Sequence, residues 1–161
     1  MVTLLGEGGP EEQEILTKLG PYAKRREVAQ RPMTDRMWTE YAVSADGLDW
    51  TWQGPALSPR PGEWDARGAR VSAVRFGPDG VMACYDGRAS AEENFEERTG
   101  VAFGPAPGTL TASESGPAAQ SPYAGHGLRY LSVLQLPDGR ERLYYEMTRA
   151  DGAHELRTEL R

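Results

Sequence analysis

The sequence is poor in the residues that most often carry metal, redox and nucleophilic chemistry: of 161 positions, one is Cys and two are His. A single Cys84 excludes an intramolecular disulfide and any thiolate-rich zinc site, and its place in an apolar strand reads as a small core residue. The two histidines, His126 and His154, are far apart, and no ligand set specifies a metal or a cofactor. A basic surplus is missing too. The net charge is −6, which argues against nucleic acid as a partner, and the one basic cluster, Lys24-Arg25-Arg26, is followed by Glu27. No apolar run approaches the roughly 20 residues of a membrane-spanning helix, so no membrane partner is expected. Residues 1–10 lack the basic start and apolar stretch of a secretory signal, which makes the cytoplasm the expected compartment. No G-x-S-x-G is present, and Ser72 and Ser132 fall inside strands, not on a nucleophile elbow.

Turn residues, by contrast, are abundant. The 19 Gly and 12 Pro lie mostly between short apolar runs, as in an all-β chain with many turns, and 39% apolar residues suffice for a folded domain. Residues 1–36 differ from the rest: Glu11–Leu19 suits a short helix ended by Gly20-Pro21, and the remainder reads as an arm. From Met37 onward apolar and polar residues alternate with period two. Ser44-Ala-Asp-Gly-Leu-Asp-Trp50 predicts a hairpin turn in which Asp46 binds backbone amides and Trp50 packs above it. Further strands are expected at about 69–76, 81–88, 97–103, 109–112, 129–136, 141–148 and 154–160.

These strands repeat. Arg70–Phe76 returns as Arg129–Leu136, with Ser72 and Ser132 sixty positions apart, and each run is followed by Pro-Asp-Gly. Tyr85-Asp86 and Tyr145-Glu146 are also sixty apart. A strand-built period of this length indicates a repeat architecture. Val71 and Ala73 against Val74 and Phe76, and Leu131 and Val133 against Leu134 and Leu136, make the strands apolar on both faces, so both faces must be covered. Four-stranded meanders stacked around an axis satisfy this as propeller blades. The expected architecture is thus an all-β partial β-propeller of about two and a half four-stranded antiparallel blades. The outer half of one blade is expected over 37–57, a full blade over 58–112, and a blade completed to its third strand over 113–161.

The order Trp64-Asp65…Gly68…Ser72…Val74…Asp79-Gly80…Tyr85-Asp-Gly-Arg88…Glu97-Arg-Thr-Gly-Val-Ala102, with the Ser44–Trp50 turn, resembles the five-bladed β-propeller glycoside hydrolases. These are the arabinanase, xylosidase and fructosidase relatives, family 43 among them, and the resemblance runs over roughly residues 38–161. It implies carbohydrate as ligand and three carboxylates on different blades. It also implies five blades, roughly 300 residues at this repeat length, of which the chain supplies about half.

In an up-and-down meander the loops entering each first strand and those leaving each second strand share one end. That places Asp65 and Arg67 near Asp86, Arg88 and Glu96, and His126 and Arg129 near Glu146. Glycosidic cleavage needs two carboxyl groups flanking the bond, one protonated and one ionised. Asp65, Asp86 and Glu146 are the candidate catalytic residues; Trp64, Arg70, Arg88, His126 and Arg129 are candidate sugar contacts, Trp64 as a stacking platform. The competing reading is structural, with Asp65 capping a turn and Asp86 and Glu146 pairing with Arg70, Arg88 or Arg129. On that reading the chain is a non-catalytic carbohydrate-binding or interaction fragment, which a second copy completes by two-fold pairing into one ring.

Overall fold

A computed structural model describes residues 36–161. The expected N-terminal arm and helix lie outside the described residues, Arg36 apart. The fold is an all-β partial propeller: among the described residues there is no helix, and nine strands form three antiparallel sheets. The first sheet pairs β1 (Thr39–Val43) with β2 (Thr51–Leu57). The second is a four-stranded meander of β3 (Gly68–Gly77), β4 (Gly80–Arg88), β5 (Arg98–Gly104) and the two-residue β6 (Thr111–Ala112). The third runs β7 (Leu128–Gln135), β8 (Glu141–Thr148), β9 (His154–Leu160).

The turn chemistry explains the hairpins. Asp46 Oδ1 accepts the amides of Leu48 and Asp49 at 2.8 and 2.9 Å, while Ser44 Oγ accepts that of Gly47. Those backbone bonds hold the Asp46 carboxyl below its usual range. Trp50, expected above this turn, stands half-exposed. The two Pro-Asp-Gly turns prove unequal. Gly77 pairs Gly80 across a two-residue loop, whereas Leu136 N donates to Arg140 O and leaves three residues, Pro137-Asp138-Gly139, between them. The second strands of the two meanders are therefore sixty positions apart, as Tyr85 and Tyr145 are, but the first strands are fifty-nine apart. Ser132, opposite Tyr144, is consequently the counterpart of Ala73, opposite Cys84, and not of Ser72. Ser72 is the extra residue of a bulge that follows Arg70. The equivalent irregularity follows Arg129.

The second sheet alone is packed on both faces, and the core concentrates there: Ala69, Val71, Ala83, Tyr85, Ala102 and Ala112, with Leu57 from β2. Small side chains let large ones lie flat. A Cβ on Gly100, opposite Tyr85, would meet the ring at 2.4 Å, and one on Gly87 would meet Trp64 at 2.5 Å. Trp64 stacks on Tyr85 with ring centroids 5.7 Å apart. Packing against the third sheet is looser. A cavity of about 470 Å³ separates Met82, Cys84 and Val101 from Leu131, Val133 and Leu143, and the Arg75–Glu141 ion pair stands at its margin.

The first sheet is fastened to the second through backbone. Met37 N donates to Arg67 O, and Ala69 N to Met37 O. Thr39, wholly buried, donates its hydroxyl to Ala69 O at 2.9 Å and accepts the Val71 amide at 2.8 Å. Replacing Thr39 by the isosteric Val removes the partner of a buried carbonyl. It is expected to lower stability by about 1–3 kcal/mol in denaturant unfolding, with the fold retained.

Candidate functional site

The loops that the topology gathers at one end do meet. Arg67 N donates to Arg88 O, Leu128 N to Glu97 O, Thr148 N to Gly127 O, and Gly127 N to Glu96 Oε2 at 2.9 Å. The sequence-predicted residues divide here into two groups.

Asp65 and Trp64 belong to the interior of the second sheet. The Asp65 carboxylate is 0% exposed, taking Arg60 Nε on both oxygens at 3.0–3.1 Å and the Tyr85 hydroxyl on Oδ2 at 2.8 Å. Burial, and then Asp65 itself, push the Tyr85 hydroxyl well up, so it stays a neutral donor. Trp64 lies on Tyr85 with the Arg98 guanidinium 5.6 Å from its ring. It is a packing residue in this arrangement and not an open platform. Cys84 is likewise buried, which pushes its thiol up.

The remaining residues, His126 apart, form one connected cluster between the second and third sheets. Arg70 Nε and Nη2 donate to Asp86 Oδ2, at 3.2 and 2.8 Å, across the β3–β4 register that pairs these residues. Asp86 Oδ1 accepts the Tyr130 amide of the next sheet at 2.9 Å. This carboxylate is also 0% exposed; burial raises it, and Arg70 opposes without cancelling that effect. The same arrangement recurs one sheet on, where Arg129 Nε donates to Glu146 Oε1 at 2.6 Å across the β7–β8 register. Glu97 joins the two halves, accepting Arg88 Nη1 at 3.4 Å on one oxygen and Arg129 Nη1 at 2.9 Å on the other. Arg88 Nη1 also meets the Asn94 side-chain oxygen.

At the outer margin His154 bridges two carboxylates, Nε2 lying 2.9 Å from Glu96 Oε1 and Nδ1 3.1 Å from Glu146 Oε1. Glu96 also accepts the Thr148 hydroxyl at 2.6 Å. Burial pushes the Glu96 carboxyl up, but the bonds from Thr148, His154 and the Gly127 amide outweigh it, leaving the group below 4.5. Glycine is required beside it: a Cβ on Gly127 would stand 2.5 Å from Glu96 Oε2. His126 is placed outside the cluster, exposed, with Nδ1 3.1 Å from Ser121 O.

Sequence reasoning missed several members. Glu97 was legible only within the Glu97–Ala102 stretch of the family resemblance and not as a site residue, and His154 only as a strand start. Tyr130 and Phe95 carried no signal at all. Both are open to solvent, at 46% and 59% exposure. Arg70 and Arg129 each place a guanidinium 4.6 Å from the Tyr130 ring, and Arg129 lies 5.3 Å from that of Phe95. Phe95, His126 and Tyr130 have φ of 75°, 63° and 57°, in the left-handed region, and they are the three such non-glycine residues among those described. Bulky residues held there by their surroundings concentrate at binding sites. Glu146 is the one candidate carboxylate that reaches solvent. Its side chain is 30% exposed, and Oε2 is left open among the described residues.

No family model and no curated protein matches the chain. Solved structures do. A glycosyl hydrolase from Bacteroides ovatus superposes with a TM-score of 0.58 at 16% identity, over 75% of this chain and 39% of that one. A structure from the GH130 family of mannoside phosphorylases, described as containing glycoside hydrolases that target β-1,2 mannosidic linkages, gives 0.55 at 19%, over 75% and 40%. Fructan 1-exohydrolase IIa from Cichorium intybus gives 0.55 at 19%, over 78% and 25%. The chain therefore has, over part of their length, the β-propeller fold of these glycoside hydrolase structures.

Two outcomes follow for the cluster. Glu97→Gln leaves two buried arginines short of their shared carboxylate and is expected to cost about 3–5 kcal/mol in denaturant unfolding. Glu96 contributes stability above its unfolded value near 4.5 that is lost as pH falls through its lower folded value. The difference in unfolding midpoint between wild type and Glu96→Gln is thus expected to shrink below pH 4.5.

Proposed function

We propose that this chain binds glycans at the end of the propeller where Tyr130, Phe95, Arg129 and Glu146 lie together. One observation carries this reading: two exposed aromatic rings, held in left-handed backbone, lie against Arg129, which bonds the one candidate carboxylate that reaches solvent. Aromatic faces take the apolar face of a sugar ring, while a carboxylate and guanidinium take its hydroxyls. The likeness to glycoside hydrolase propellers supports carbohydrate as the ligand class.

Hydrolysis asks for more. Two carboxyl groups must flank the bond. On the hydrolytic reading Glu146 supplies one, but Asp65 and Asp86, at 0% exposure with their oxygens bonded, cannot reach a ligand without unpairing Arg60 and Arg70. On the hydrolytic reading Asp65 and Asp86 would be uncovered on ligand binding. On the binding reading they hold the loops, and Trp64 does the same.

A second reading, a fragment completed by self-association, draws on the apolar side chains exposed at both ends of the stack: Trp52 on the first sheet with Trp50 just before it, Leu134 and Tyr144 on the third. Point symmetry restricts it. A two-fold axis along the propeller axis exchanges blades in pairs, so a symmetric pair closes a ring with an even number of blades and never five.

Titration calorimetry with arabino-, xylo-, fructo- and manno-oligosaccharides tests the proposal, together with release of aryl aglycones from the matching glycosides. Wild type should bind at least one sugar class without turnover, and Tyr130→Ala should weaken that binding by roughly tenfold, about 1.4 kcal/mol. Turnover that falls about 10²–10⁴-fold in Glu146→Gln while binding persists would establish hydrolysis instead. Absence of both binding and turnover in wild type rejects the proposal.

A further inference from the structure

The second sheet ends in β6, but the third ends in β9, and among the described residues no strand pairs with the outer edge of β9. The sequence of that strand has an internal symmetry. Glu155-Leu-Arg-Thr-Glu-Leu-Arg161 repeats Glu-Leu-Arg on either side of Thr158. Glu155, Arg157, Glu159 and Arg161 point to one face with alternating sign, and Leu156, Thr158 and Leu160 to the other. Antiparallel pairing with an identical strand, centred on Thr158, sets Glu155 against Arg161, Arg157 against Glu159 and Leu156 against Leu160, in both directions across the two-fold axis.

We propose that the partner of this edge is a second copy of the chain, joined through β9 by an isologous antiparallel pairing centred on Thr158. The hydrogen-bond phase agrees. Arg161 and Glu141 exchange both backbone bonds, at 2.8 Å each, and alternate pairs do so in an antiparallel ladder. Glu159, Arg157 and Glu155 thus spend their backbone groups on β8, while those of Leu156, Thr158 and Leu160 face the free edge. These are the groups that a Thr158-centred pairing joins. The charged residues then fall on the non-hydrogen-bonded pairs, where side chains stand closest.

The register is selected as well as permitted. Sliding by two residues sets Glu155 against Glu159 and Arg157 against its own copy, and a parallel pairing in register opposes like charges throughout. Charges on an edge strand ordinarily prevent pairing. Here, among two-fold-symmetric pairings of the whole strand, they select this register. In the isolated chain they are satisfied by exposed neighbours, Arg157 Nε donating to Glu155 at 2.6 Å, Arg161 Nε to Glu159 at 2.9 Å, and Arg149 standing 3.6 Å from Glu155. Exposed pairs of that kind contribute little. Leu156, 77% exposed, gains a cross-strand apolar neighbour in Leu160.

Sedimentation of the full chain tests this with two charge-reversal variants. Glu155→Arg/Glu159→Arg makes the edge uniformly positive; Arg157→Glu/Arg161→Glu makes it uniformly negative. Wild type is expected at twice the 17.7 kDa chain mass, each variant at the single mass, and their mixture at twice the mass again. Thr158→Pro removes one outward amide without touching the β8 ladder and should also give the single mass. A wild type that stays single, a dimer that survives both reversals, or folded variants that fail to pair when mixed would each overturn the proposal. Survival in both reversals would assign the contact to the exposed apolar faces instead.

Discussion

Two consecutive carboxylates, Glu96 and Glu97, hold the third sheet to the second. Glu97 turns inward between Arg88 of one sheet and Arg129 of the next. Glu96 turns the other way, to Gly127, Thr148 and His154. Neighbouring side chains of an extended segment diverge, so one dipeptide engages two separate sets of partners. The rest of the sheet contact cannot substitute for it. Between the apolar faces lies a cavity of about 470 Å³, lined by Ala73, Cys84 and Thr99 on one side and Leu131 and Val133 on the other. An interface short of apolar contact and long on buried charge is specific in geometry but tolerates no missing partner.

The unusual backbone follows from that seam. Phe95 immediately precedes the carboxylate pair, Tyr130 immediately follows Arg129, and His126 precedes the glycine that bonds Glu96. Each of these residues is adjacent in sequence to one whose side chain or amide is fixed by a buried or partly buried bond. The bulges after Arg70 and Arg129 have the same origin. An extra residue there lets each arginine lie across its strand onto the carboxylate opposite while the strand beyond keeps its apolar alternation. The proposed ligand contacts and the architecture therefore share residues. Arg129 holds Glu97 and Glu146 and also flanks Tyr130.

The strands were legible because period-two alternation and turn residues are local signals, and the sheets follow from their order. Which charges end up buried was not. Asp65 is silenced by Arg60, five residues away in a loop of no regular period, and by Tyr85 on a strand twenty residues later. Arg70–Asp86 and Arg129–Glu146 could be named from sequence as alternatives to catalysis, since hairpin register sets them opposite. Glu97 could not, because its two arginines come from different sheets. The sixty-residue alignment failed by one in the first strands for a related reason: both turns read Pro-Asp-Gly, and only the pairing shows which of them is longer.

Stability is unevenly shared as a result. The main core cluster draws its members from β2 to β6 and none from β7 to β9. The third sheet contributes Leu143 and Met147 to the buried set and exposes Leu134, Tyr144, Leu156 and Leu160 on its outer side. Its attachment is thus mostly electrostatic and hydrogen-bonded, concentrated at the loop end and thin at the hairpin end, where Arg75 and Glu141 meet near solvent. Elements with few buried apolar contacts open at lower free energy than the core they adjoin. A partner on the free edge of β9 would act where this deficit is greatest, adding backbone bonds to the strand farthest from the core.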